Sequence, residues 1–250
     1  MRRFRVLGVV VMATAIVSGV ACVFAAVDAG AQPAPAGATA TPIRTLLLVG
    51  GPIHNHMEIG DVVEALLKKS GKFEVTRVNS DLNALLAERI RPYDLIVFYW
   101  TTESITEEQK RGLMNHIAAG KGFVTFHSGA DSFRGDPDYR AFVGGHFIGH
   151  PKYRTYQVSV TETKSPITEG IDEFMITDEQ YFLDFDPRVE VLANSLHKGG
   201  LMPVLWTKSW GKGRVFYSAL GHDRKACEQQ MFQKLLLRGA LWAANREVKD

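Results

Sequence analysis

Between Thr45 and Gly129, short apolar runs alternate with stretches of helical period, and this alternation constrains the fold more than any other feature of the chain. Thr45-Leu46-Leu47-Leu48-Val49 is a continuous apolar run ending at Gly50-Gly51, as expected for a strand covered on both faces. Met57 to Ser70 then places Ile59, Val62, Val63, Leu66 and Leu67 on one helical face, and Gly71 supplies a stop. Phe73 to Val78 reads as a second strand, Leu82 to Ile90 as a short helix and Tyr93 to Tyr99 as a third strand. Thr106-Glu107-Glu108-Gln109 fits a capping box, since the threonine oxygen and the glutamine side chain can satisfy unpaired amides at a helix start. That helix runs to about Ala119, and Gly120-Lys121-Gly122 returns the chain to a strand over Phe123 to Phe126. The order predicts an α/β fold with a mainly parallel sheet and right-handed crossovers.

The second half is less regular. Tyr156 to Val160, Val189 to Ala193, Pro203 to Thr207 and Val215 to Ala219 read as strands, with Gly211-Lys212-Gly213 turning between the last two to make a hairpin. A final helix is expected over Lys225 to Ala244, with Met231, Leu235, Leu236 and Leu241 facing the core. At the other end, Arg2, Arg3 and Arg5 precede an uncharged, largely apolar run from Val6 to Val27, and Ala29-Gly30-Ala31 offers a cleavage site. Residues 1–31 are therefore expected to be a signal peptide and residues 32–42 a flexible linker, leaving a domain over 43–250 in an exported protein, periplasmic or extracellular. An uncleaved anchor is the alternative; cleavage implies no stable membrane association.

Without the three arginines and Asp28, 26 basic residues face 26 acidic ones with no block of like charge, which argues against nucleic acid as a partner. Cys22 leaves with the signal and Cys227 remains alone, so no internal disulfide is expected; Cys227 lies in a helical pattern and reads as a packing residue.

Polar groups collect just after the apolar strands: His54 and His56 after the first, Glu103 after the third, His127 after Phe126, and His222-Asp223 after Val215 to Ala219. If those strands share one sheet, their ends meet along one edge, where open α/β sheets bind ligands. Histidines converging with a carboxylate can hold a divalent metal, zinc foremost. Each histidine alone has a plainer reading, a hydrogen bond in a tight loop or, for His222, a cap on the last helix; His116 and His197 are read as structural. Asp178-Glu179-Gln180-Tyr181 adds two carboxylates suited to metal ligation or proton transfer and a phenol that could orient a sugar hydroxyl. Phe126-His127-Ser128-Gly129-Ala130 does not match G-x-S-x-G, so a serine or cysteine hydrolase is a lesser reading.

Five segments, GGPIHNH at Gly50 to His56, GKGFVTFHSG at Gly120 to Gly129, VGGHFIGHP at Val143 to Pro151, DEQY at Asp178 to Tyr181 and GKGRVFYSALGHD at Gly211 to Asp223, occur in an order that resembles the trehalose-utilisation (ThuA-like) family. The resemblance implies a flavodoxin-like three-layer sandwich related to the class I glutamine amidotransferases, with a mainly parallel central sheet and an additional β-hairpin. It points to His54, His127, His150, Glu179, Tyr181 and His222 as site residues, leaves His56 and His146 unmatched, and puts His127 where the amidotransferases keep their nucleophile. The expectation is a metal-assisted enzyme acting on a glycoside or keto-sugar by hydrolysis, elimination or isomerisation. Its metal ligands would be His54, His127, His150 and His222, and its catalytic groups His127, Glu179 and Tyr181. Substrate contacts are expected from Glu103, Trp206 and Asp223. The alternative is a non-catalytic sugar-binding protein that stacks sugar on Trp100, Tyr181 and Trp206.

Overall fold

The computed structural model describes residues 41–101 and 104–249. The expected signal peptide, most of the linker, Cys22 and Glu103 lie outside the described residues.

The chain alternates as its periodicity predicts. Strand β1 (Ile43–Gly50) leads through α1 (His56–Lys69) to β2 (Phe73–Asn79), and α2 (Ala87–Ile90) precedes β3 (Leu95–Trp100). Helix α3 (Glu107–Ala118) connects to β4 (Gly122–Phe126), which runs into a 3₁₀ turn over His127–Asp131 and then α4 (Pro137–Val143). Both halves of the Thr106/Gln109 capping box are formed. The second half adds β5 (Gly145–Gly149), β6 (Arg154–Val160), β7 (Glu173–Asp178), β8 (Phe182–Phe185), β9 (Glu190–His197), β10 (Gly200–Trp210) and β11 (Gly213–Ser218). The expected single C-terminal helix is two, α5 (Arg224–Glu228) and α6 (Gln230–Ala243), because Gln229 adopts an extended backbone between them.

One sheet takes nine strands in the order β2-β1-β3-β4-β11-β10-β9-β6-β7, and β5 pairs with β8 in a separate antiparallel ribbon. The pairs from β2 to β11 are parallel and the rest antiparallel, so the expected α/β sheet with a parallel core is present and carries a broad antiparallel extension. The β10–β11 hairpin joins the two halves and lies inside the main sheet. Helices α1 and α6 pack on one face, and α3 with α4 on the other. Burying each large aliphatic side chain of β1 and β3, which are nearly solvent-free, contributes about 1.5–3 kcal/mol.

Two consequences matter for the site. The chain leaves β1 towards β2 on one side and β3 towards β4 on the other, so the strand order reverses between β1 and β3 and opens a crevice at their carboxyl ends. The antiparallel extension also curls strongly. Although β7 stands four places from β11, Asp178 at its end accepts the Gly221 amide proton across 2.7 Å, where a flat sheet would separate them by roughly 19 Å.

Candidate metal centre

The carboxyl edge brings together four donors from four separate segments. His54 lies in the loop after β1, His127 directly after β4, His222 after β11, and Glu179 directly after β7; one ligand atom from each falls within 4.8 Å of all the others. The histidines arrive from the parallel core and the carboxylate from the curled extension.

His127 is the most constrained member. It is fully buried, and its φ of +43° is a left-handed conformation that non-glycine residues rarely adopt. The turn beyond it is tight enough that a Cβ on Gly129 would lie 1.7 Å from Thr125 Oγ1. Two groups of β11 and its exit hold the residue: Tyr217 Oη donates to the His127 carbonyl across 3.1 Å, and His127 Nδ1 is 3.0 Å from the Ala219 carbonyl. A carbonyl can only accept, so Nδ1 carries a proton and Nε2, the nitrogen that bears the lone pair in the neutral ring, faces the cluster. Nε2 is buried without a hydrogen bond, 3.4 Å from Glu179 Oε2 but misaligned for one.

His54 is anchored in a comparable way, with Nδ1 3.3 Å from Thr101 Oγ1 and its ring edge-on to those of His127 and His222. Burial, followed by the neighbouring His127 and His222 rings, pushes its pKa down to about 3, so near neutral pH it is an uncharged imidazole. His222 Nδ1 is 3.1 Å from Glu179 Oε2 and is likewise buried without a hydrogen bond. Burial lowers this histidine, but Glu179 outweighs that and raises it on balance. For Glu179 burial acts upward, and the adjacent His127 and His222 rings overcome it to hold the carboxyl well below the usual range. It is an ionised, acceptor-only group. One uncharged imidazole, orphaned buried nitrogens on two further rings and one ionised carboxylate make a donor set suited to a divalent cation, so these residues fit such an ion.

Asp178 holds the loop that carries His222. Fully buried, it accepts from the amides of Gly221 and His222 across 2.7 and 3.2 Å and from that of Glu179 across 2.8 Å. Burial raises its carboxyl. Gly221 has φ +110°, and a Cβ there would come within 2.8 Å of Phe126 and Phe232. Tyr99 Oη donates to the His222 carbonyl from the other side. Asp178 is visible in the sequence as one of two adjacent carboxylates; what periodicity does not reveal is that Asp178 faces backbone amides while Glu179 faces the histidines.

His150, expected among the ligands, stands at the margin, with Nδ1 on the Pro151 carbonyl at 2.8 Å and Nε2 3.5 Å from the other oxygen, Glu179 Oε1; it is separate from the four-donor group. Tyr181 is buried against His127, their ring centroids 4.0 Å apart, and burial drives its phenol well above its ordinary value, so it forms a wall of the site and is no base near neutral pH. Trp206, expected at the substrate, is a core residue: it has no exposed surface, stacks on Tyr217 at 4.1 Å and donates to the Val143 carbonyl. Asp223, also expected there, caps α5 by accepting from Ala226 N, which is the role the sequence offers to His222. His56 meets Ser80, His116 meets the Tyr93 carbonyl, His146 approaches Asp184 and His197 packs on Phe182; none joins the cluster. A groove of about 560 Å³ lined by Asp186, Arg188, Lys208, Trp210 and Trp242 lies towards the opposite edge. Its Asp186 and Arg188 already pair with each other, so the chemistry stays with the histidines.

Known proteins share both the sequence pattern and the architecture. Residues 44–243 match the ThuA family, described as trehalose utilisation. The chain belongs to the ThuA family. No curated protein matches it. Among solved structures, a ThuA-like protein from Parabacteroides merdae is 24% identical, with a TM-score of 0.77 over 84% of this chain and 92% of that one. A ThuA-like protein from Bacteroides uniformis is 21% identical, with a TM-score of 0.69 over 85% and 95%. A protein from Thermoplasma acidophilum described as part of a GMP synthase, 13% identical, has a TM-score of 0.51 over 82% and 94%. At these identities the structures speak to the fold, which is that of class I glutamine amidotransferase-like proteins. In the ThuA chain the elbow after β4 presents an imidazole.

Proposed function

We propose that this ThuA protein is an exported, metal-assisted enzyme that acts on a glycoside or keto-sugar by hydrolysis, elimination or isomerisation. The observation that carries the reading is the convergence of His54, His127, Glu179 and His222, with His127 Nδ1 taken by the Ala219 carbonyl so that Nε2 faces the other three. Zinc suits three imidazoles and a carboxylate, and the family's description supports a carbohydrate as the small-molecule substrate. Export rests on the Arg2 to Ala31 segment of the sequence.

A divalent ion at such donors supplies Lewis acidity towards a carbonyl or hydroxyl and a water acidic enough to ionise near neutral pH. The protein's own groups divide the remaining work. His54, His127 and His222 would hold the ion through ring nitrogens. Glu179, held ionised, is a poor proton acceptor at neutral pH and would serve as the carboxylate ligand. His150, on the solvent side and next to Oε1, is placed to move a proton between the site and water. Tyr181 closes one wall and keeps the His127 ring in place.

Two other readings lose support. Sugar binding by stacking needs exposed rings, yet Trp206 and Tyr181 are buried and so is Trp100, packed against Phe98. Ser128 is fully buried and has no hydrogen bond to a base, which disfavours it as a nucleophile. The test is elemental analysis of the purified protein together with turnover of a panel of glycosides and their keto forms. Stoichiometric metal with turnover abolished in Glu179→Gln is expected; full activity in metal-free protein would sink the reading.

A further inference from the structure

We infer that Tyr99 is the positioning residue of the cluster: its ring supports the three imidazoles at the spacing a divalent ion needs, and its hydroxyl fixes the loop that carries His222. The inference deepens the metal-directed reading and rests on it.

The three imidazoles stand at nearly equal separations. Their ring centroids are 5.1 Å apart for His54 and His127, 5.2 Å for His54 and His222, and 5.3 Å for His127 and His222. The strand ends that deliver them do not impose this spacing. In the order β1-β3-β4-β11, the strand before His54 lies two places from the one before His127 and three from the one before His222, which in a flat sheet amounts to roughly 10 and 14 Å. Rings drawn together from such distances need a common support. Among the described residues, β3 gives the cluster no donor. Its contribution is Tyr99, one residue before its end.

From β3 the phenol runs across the end of β4, its ring 4.7 Å from that of Phe126. The His54 ring stands edge-on to it at 5.7 Å, and the His127 ring lies parallel to it within 9° at 6.5 Å. The hydroxyl reaches the loop after β11 and donates to the His222 carbonyl across 3.3 Å. Asp178 accepts from the amide of that same residue, so the two side chains hold the His222 backbone from both of its polar groups. Thr101 and Tyr217 each hold one histidine, whereas Tyr99 meets all three. Tyr99 is fully buried, and burial pushes its phenol well above the ordinary value, so it keeps its proton. A phenol whose proton is committed to a carbonyl is neither ligand nor base; it acts through the histidines.

Three readouts on the full chain test this: zinc affinity by competition with a chromophoric chelator, imidazole resonances of the metal-free protein carrying isotope-labelled histidine, and urea midpoints. Tyr99→Phe keeps the ring and loses the hydroxyl. It is expected to weaken zinc about tenfold and to move the His222 resonances while those of His54, His127, His116 and His197 stay in place. Tyr99→Leu should weaken zinc further and move all three cluster histidines. Phe142→Leu, a substitution in the buried packing of α4, should lower the urea midpoint and leave zinc affinity unchanged. Parent-like zinc affinity in both Tyr99 variants, or an equal loss in Phe142→Leu, overturns the inference. If Tyr99→Leu fails to fold, Tyr99→Phe decides alone. A parent protein that takes up no zinc removes the metal-directed function instead. The resonances then decide the inference by themselves, upholding it if His222 moves in Tyr99→Phe and overturning it if His222 does not.

Discussion

The cluster is assembled from two differently built halves of one sheet. The parallel half supplies three histidines from the ends of β1, β4 and β11, each just beyond a buried strand and, for His127, locked by hydrogen bonds to backbone and phenol. The antiparallel half supplies Glu179 by curling back through four strand positions, and it is latched by Asp178 on the Gly221 and His222 amides. One half places its donors at the ends of parallel strands. The other depends on curvature and on a single buried carboxylate, so the halves should fail differently when altered.

The sharpest contrast is between the donors and the latch. His127→Ala and Glu179→Gln each remove a donor and are expected to weaken metal binding by more than the roughly 10–100-fold typical of losing an outer partner, as read by competition with a chromophoric chelator. Asp178→Ala leaves every donor in place and frees the loop that carries His222. Its metal affinity should drop about 10–100-fold, and its urea midpoint should report a loss on the order of 3 kcal/mol from stranded buried amides. If Asp178→Ala binds metal as tightly as the parent protein, the extension is not held by this latch and the comparison between the halves breaks.

The same division explains what can be read from the sequence. The periodicities over Thr45 to Phe126 identify β1, β3, β4, α1 and α3, and parallel pairing then makes the histidine positions follow from strand ends. The antiparallel half gives weaker signals. β7 carries EFMITD, whose exposed Met175 and buried Asp178 run against a simple apolar alternation, while β5 contains three glycines or histidines in five residues. Trp206 departs from its expected place for a related reason: its position in β10, beside irregular pairing at Leu205, turns it onto Tyr217 and into the core. The meeting of Asp178 with Gly221 spans 43 residues and depends on sheet curvature, which no local pattern encodes.

Titration offers a smaller effect, centred on His54 in the parallel half. In metal-free protein His54 takes up its proton near pH 3, whereas in the unfolded chain it does so near 6.5. Between those values the unfolded state binds more protons, so stability declines as pH falls from about 6.5 towards 3. Glu179, depressed in the folded state, adds to this acid-side loss; His222, raised, contributes stability that is full below 6.5 and is lost as pH rises through its folded value. Urea midpoints at unit steps from pH 7 to 4 should show a decline attributable to His54 on the order of 2 kcal/mol, less than its full displacement implies because solvent still reaches the ring. His54→Asn should flatten that slope. An unchanged slope would move the acid sensitivity from the parallel half to the extension.

His150 gives the smallest expected change in metal affinity and tests where the cluster ends. It arrives on the loop after β5, which belongs to neither half of the main sheet, and it meets the Glu179 oxygen that faces away from the other histidines. At 3.5 Å from Oε1 and about one-third exposed, its imidazole supports the carboxylate from outside the donor group. His150→Ala should therefore change metal affinity by no more than about tenfold, the lower end of what an outer partner costs, while His127→Ala removes metal under the same conditions. Equal losses in the two variants would make His150 a ligand. The ribbon of β5 and β8 would then be a third structural contributor to the centre, and the division into a histidine-bearing core and a carboxylate-bearing extension would no longer describe how the site is built.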